Sequence, residues 1–288
     1  MRGHYEGGSM TALLAGVVVG FVVTRLLWLG LAPMFEAPAL ARTNYRGASL
    51  PTAAGVVLAL AALAVEGGRV LAGSFGIGDA GLTGPRILVL VAALGYTVLG
   101  IVDDLLGSAR DRGFRGHGSA LLSGRVTSGL LKLAGGGALA LVVVASSAGE
   151  SPGRLIADSL LVALAANLAN LLDRAPGRTT KAAATTFVLL VIGVGAVPAL
   201  VPVAVVVGAA LGLLSDDLHE RLMLGDAGAN PLGAVLGLAV VLSAASGARN
   251  VVLVALVMLN IAGELVSFSR VIDMVPPLRI LDRAGRRR

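Results

Sequence analysis

What most constrains this chain is a recurrence: apolar runs close to twenty residues long follow one another along the whole sequence. The hydrocarbon core of a bilayer is about 30 Å thick, so a helix needs ~20 mostly apolar residues to cross it. Nine such runs can be marked, at residues 11–32, 50–72, 86–106, 126–147, 153–172, 181–198, 199–215, 230–246 and 250–268. They are rich in Ala, Val, Leu and Gly and do not alternate with period two, which argues against a membrane β-barrel and for helices packed through small residues. Composition agrees, because 56% of residues are hydrophobic and only 14% charged, against about 25% charged in a soluble domain. The expectation is an all-α polytopic membrane protein: one integral membrane domain over residues 1–288, with no soluble module. "VPALVPV", between the sixth and seventh runs, is the weakest boundary. The absence of Cys excludes disulfides and thiolate metal sites.

Charge gives these runs a direction. Of the 23 Lys and Arg, 16 fall after the odd-numbered runs and 5 on the other side, with Arg25 and Lys132 inside helices. By the positive-inside rule the N-terminus is outside and the C-terminus cytoplasmic. The first run is read as an uncleaved helix: "ALA" at 39–41 imitates a signal-peptidase site, but the flank "MRGHYEGG" balances Arg2 with Glu6. The same bias accounts for a pI near 10.7 without nucleic acid, and the basic tail is expected on anionic membrane lipid.

The acids gather on the basic side. Asp103, Asp104, Asp111, Asp173, Asp216, Asp217, Glu220 and Asp226 lie at the cytoplasmic ends of the third, fifth and seventh runs or just beyond. Those ends are helix C-termini, where unsatisfied carbonyls disfavour a carboxylate by about 0.3 to 1 kcal/mol. Paired Arg would turn the cost into attraction, as would a hard divalent cation such as Mg²⁺. In "MLGDAGANPLG", residues 223–233, Asn230 reads as a helix N-cap and Pro231 as the first helical residue. The glycine-rich turn before them would offer N–H groups to phosphate, with Asp226 placed to hold a metal. Asn167, Asn170 and Asp173 on the fifth run, and Asn260, Glu264 and Ser267 on the ninth, form polar stripes at helical spacing. Such groups face a ligand cavity or bond helix to helix. Lys132, one turn into the fourth run, either snorkels or binds phosphate.

Four stretches together resemble the polyprenyl-phosphate N-acetylhexosamine-1-phosphate transferases, which include the phospho-N-acetylmuramoyl-pentapeptide transferase of peptidoglycan synthesis and its N-acetylglucosamine relatives. They are "RGASLPTAAG" (46–55), "GIVDDLLG" (100–107), "NLANLLDRAPGR" (167–178) and "MLGDAGANPLG" (223–233). The resemblance implies Mg²⁺-dependent transfer of a sugar-1-phosphate from a UDP-sugar to polyprenyl phosphate at the cytoplasmic face of a bacterial membrane, with release of UMP. It also implies roles. Asp103, Asp104 and Asp226 would be catalytic, with Asp226 and Asp104 holding the metal. Asn167, Asn170, Asp173 and Arg178 would line the sugar-nucleotide site, and Lys132 and Arg46 would contact phosphate. A homodimer is open.

The chain also departs from the family pattern. Pro176 stands where a further Asp is usual and Gly136 where an amide is expected, and the Gly-Asp-x-Gly-Ser motif ends here in Ala229 minus its loop hydroxyl, as "GDAGA". No His-rich loop follows, since the histidines are His4, His117 and His219, and nine runs are one fewer than the ten of the peptidoglycan branch. One reading is an active transferase in which Glu264, Ser267 and Arg270 replace part of that loop. The other is a non-catalytic relative that binds polyprenyl phosphate or a lipid-linked sugar. An intramembrane aspartyl protease and a transporter fit less well, because the acids exceed two and lie at helix ends rather than at the membrane midplane.

Overall fold

Hydropathy is written locally, and the helices follow it. The computed structural model describes residues 3–106, 128–146 and 151–287, with side chains from residue 10 onward. Among the described residues there are nine long helices: α1 (Gly3–Leu31), α2 (Val56–Ser74), α3 (Gly84–Leu106), α4 (Ser128–Ala145), α5 (Pro152–Leu172), α6 (Arg178–Val194), α7 (Val201–Leu218), α8 (Asp226–Ser243) and α9 (Ser246–Leu265). Two short helices close the chain, α10 (Phe268–Met274) and α11 (Pro276–Arg283). Among the described residues eight helices are long and apolar enough to cross a membrane, which makes this an all-α polytopic membrane architecture. The remaining long helix, α6, has 17 residues, about 26 Å at 1.5 Å per residue. The acids Asp111, the arginines at 110, 112, 115 and 125, and His117 lie outside the described residues.

Three boundaries differ from the sequence reading, two of them with non-local bonds at the point of difference. Residues 50–55 do not begin α2. They enter an antiparallel hairpin of β1 (Ala41–Thr43) and β2 (Ser49–Pro51), and continue along residues 223–224 through Met223 N–H to Pro51 O at 2.7 Å and Gly55 N–H to Leu224 O at 2.9 Å. Helix α8 starts four residues earlier than expected: Gly225 turns the chain at φ +69°, and Asp226 lies in the first turn. Asn230 is therefore no N-cap and Pro231 sits inside the helix. An internal proline orphans the carbonyl one turn back. Here that is Ala227 O, and the buried Thr97 hydroxyl donates to it at 3.1 Å. The boundary at 197–203 resolves into a short 3-10 turn, Pro198–Leu200, leading into α7.

Small residues set the packing. Helix α8 is the core, buried from Ala227 to Val241, and its Gly233 and Gly237 lie on Ala165, Ala169 and Val162 of α5. The "GVVVG" of α1 does the same against α7, where a Cβ on Gly20 would come within 2.1 Å of Val205 O. This is close approach through small residues, the way helices associate in lipid, where no hydrophobic force separates helix from solvent. Large apolar side chains face outward instead, among them Leu29, Ile192, Val251 and Leu265.

Candidate functional site

Three helix ends meet backbone to backbone at one end of the bundle. A Cβ on Gly100 of α3 would stand 2.3 Å from Asp226 O, and one on Gly55, just before α2, 2.1 Å from the Gly228 Cα. The last turn of α3 is thereby pressed against the first turn of α8. Asp104 uses that contact: Oδ1 accepts the Asp226 N–H at 3.1 Å and Oδ2 the Ala227 N–H at 3.0 Å. A carboxylate that is unfavourable on its own helix C-terminus thus lies on the positive end of a neighbour, where the same ~0.3 to 1 kcal/mol changes sign. Both its oxygens are taken up by backbone, so Asp104 fixes the α8 turn rather than facing open space. The vacated end of α3 is closed by Arg42, which donates to Asp104 O at 3.0 Å and Leu105 O at 3.3 Å.

Around this turn stands a cluster of carboxylates with one lysine. Lys132 of α4 pairs with Asp226 and reaches Asp103 Oδ2 at 3.6 Å. Asn170 of α5 lies between Asp226 and Lys132: with its amide turned so that the oxygen faces the ammonium, its nitrogen donates to Asp226 Oδ1 at 2.8 Å and its oxygen accepts from Lys132. Asp173, half-buried just past α5, accepts from the Thr179 hydroxyl at 3.1 Å. Burial, and then the charges of Asp217 and Asp226, push its pKa well above the ordinary carboxylate value.

The structure brings together Asp103, Asp104, Lys132, Asn170 and Asp226, with Asp173 beside them. It does not bring in the rest. Asn167 donates to Asn260 Oδ1 at 2.7 Å, and Asn260 donates in turn to Leu164 O and Leu256 O, so this pair is a helix-to-helix bond. Glu264 is exposed and has no polar partner among the described residues. Asp216 binds Arg25 and, at 3.3 Å, Arg221, while Asp217 accepts the Gly177 N–H at 2.9 Å. Among the described residues no three Asp, Glu or His side chains are grouped to enclose a metal ion. Asp103 and Asp226 supply oxygens from two helices, which fits Mg²⁺ in its usual form of one or two carboxylates completed by water and substrate phosphate.

Arg46 and Arg178 belong to a second feature, a cleft of about 450 Å³. Its walls are Tyr45 and Arg46 after β1, Arg174, Ala175 and Arg178 of the α5–α6 turn, and Ser269, Asp273, Asp282, Arg283, Arg286 and Arg287 of the C-terminal segment. Asp282 organises it. Arg178 grips both its oxygens, at 2.8 and 3.1 Å, and Arg286 reaches it at 2.5 Å. Burial pushes the Asp282 carboxyl up, but Arg178 and then Arg286 outweigh this and hold it below the ordinary value. Lys181 closes the end of α11 by donating to Leu281, Asp282 and Ala284 carbonyls at 3.0, 2.7 and 2.8 Å.

Gly136 and Pro176, two positions that differ from the pattern the sequence resembles, have specific local contacts. The Gly136 carbonyl accepts from Tyr96 OH at 2.7 Å, and a Cβ there would meet the Tyr96 ring at 3.3 Å, so Tyr96 occupies the space of a longer side chain. At Pro176 the carbonyl accepts from Arg286 Nε at 3.0 Å, so the C-terminal segment reaches the α5–α6 turn. Sequence reasoning missed Arg42, Thr97 and Asp282. Only Asp282 carried a signal, as an acid inside "RILDRAGRRR". No protein-family model matches the chain, and no curated protein matches it.

Proposed function

We propose that this protein transfers a sugar-1-phosphate from a UDP-sugar to polyprenyl phosphate at the cytoplasmic face of a bacterial membrane. In this reading α6 also crosses the bilayer, giving nine spans with the C-terminus inside. A phosphate oxygen of the lipid attacks the sugar-proximal phosphorus. That P–O bond forms as the bond to the UMP oxygen breaks, and UMP leaves with the electron pair. Phosphoryl transfer of this kind asks for positioning and charge neutralisation more than for covalent help.

The observation that carries the reading is the convergence of Asp103, Asp226, Lys132 and Asn170 from four helices at one end of the bundle. Lys132 neutralises phosphate oxygens, Asn170 orients Lys132 and Asp226, and Asp104 holds the α8 turn that carries Asp226. Asp226 and Asp103 would hold Mg²⁺, which when bound neutralises charge on the diphosphate. Asp173 lines the donor side.

One observation favours a second reading, a binding protein without turnover: Lys132 already stands between Asp103 and Asp226, where a cation would sit. Purified protein incubated with polyprenyl phosphate, Mg²⁺ and a panel of UDP-sugars separates the two. A polyprenyl-diphospho-sugar with stoichiometric UMP is expected, and no product with lipid binding intact would leave the second reading.

A further inference from the structure

The arginine cleft has a charge pattern that its own contacts do not consume. Six guanidinium groups line it against two carboxylates, Asp273 and Asp282. Asp273 is taken by Arg283 at 2.8 Å, and Asp282 by Arg178 and Arg286. Arg46 is partly engaged, by Glu220 at 3.2 Å and the Tyr45 hydroxyl at 2.7 Å. Arg174 and the Arg287 side chain remain, exposed and with no carboxylate partner among the described residues.

These charges are held in place rather than loose. The Arg287 N–H donates to Leu218 O at 3.2 Å, and the Arg287 carbonyl accepts from Arg46 Nη2 at 3.2 Å. Arg174 sits in the turn that the Arg178–Asp282–Arg286 clamp ties to the C-terminal segment. Gathering like charges costs energy, and planar guanidinium groups meet phosphate oxygens in pairs. At about 450 Å³ the cleft falls within the ~300 to 1,000 Å³ of small-ligand sites.

We propose that this cleft binds a multiply charged phosphate, with Arg174 and Arg287 as its free ligands and the Asp282 clamp aligning Arg178 and Arg286 behind them. The chemistry is shared by a soluble phosphate ester and by the headgroup of an anionic lipid. The site stands whether or not the neighbouring carboxylate cluster turns over a substrate, because its residues and its readout are separate.

The test is calorimetric titration of the full-length protein in neutral detergent with sodium pyrophosphate, beside retention of phosphatidic acid by the same protein in mixed micelles. Saturable pyrophosphate binding, weakened about tenfold by Arg174→Gln and again by Arg287→Gln as each removes a charged donor, supports a soluble phosphate. Phosphatidic acid retained without pyrophosphate binding, and lost in the double variant, supports a lipid headgroup. Neither substitution touches the clamp, so thermal midpoints should stay level. No binding of either probe, or binding equal in the double variant, overturns the proposal.

Discussion

Buried and half-buried carboxylates occur at both ends of the bundle, but not all are matched alike. At the end where α3 and α5 begin, Asp158 receives Arg154 and, at 2.6 Å, Arg249. Glu66 likewise receives Arg69 at 3.1 Å and Arg86 at 2.6 Å. Each acid there has two cations. At the other end Asp216 and Asp282 are also met by two arginines each, but Asp103 and Asp226 share Lys132, while Asp104 accepts from backbone and Asp173 from the Thr179 hydroxyl. The first arrangement stabilises a fold, since breaking a buried pair leaves an uncompensated charge. The second leaves negative charge unspent, which a fold alone has no reason to keep and a site for a cation or a phosphate-bearing substrate does.

The contrast can be broken most sharply at Asp226. Asp226→Asn should lower product formation by about 10³-fold or more, the scale of removing one group from a preorganised electrostatic site, while the thermal midpoint stays level or rises. Initial rates beside a melting curve check both. Asp158→Asn should do the reverse, costing about 3 to 5 kcal/mol of stability by leaving Arg154 and Arg249 buried without their partner. Denaturant titration in detergent reads it, and a cost near zero would erase the difference between the two ends.

A smaller effect is expected at Asp173, whose raised pKa means that its charged form opposes folding at neutral pH. Asp173→Asn should therefore raise the melting temperature and flatten its dependence on pH above the ordinary carboxylate value. Smallest is the response of the clamp at Asp282. Its folded pKa is depressed, so its contribution is present above the unfolded value near 4 and lost as pH falls through the lower folded value. Hydrogen exchange across α10 and α11 should accelerate only below about pH 4, and Asp282→Asn should remove that step.

Much of the architecture was legible because hydropathy is local: the runs at 86–106 and 153–172 differ from α3 (Gly84–Leu106) and α5 (Pro152–Leu172) by two residues or fewer at either end. The start of α8 was not legible, because the carbonyl that Pro231 orphans, Ala227 O, is satisfied by Thr97, 130 positions away from Ala227. The acids of the candidate site could be picked out by their unfavourable placement. What Asp104 does could not, since its register against the first turn of α8 is a property of packing. The arginine cleft was hidden for the same reason, as Arg46 and Arg287 meet across 241 positions.

The meeting of Gly55, Gly100 and Gly228 has an evolutionary consequence. Where helices touch through main-chain atoms, the scaffold is written in the part of the polymer that every amino acid shares. Surrounding side chains can then drift far without moving Asp226, provided that those three positions stay bare. Any Ala at one of the three should therefore do more harm than a change of letter at most positions around them.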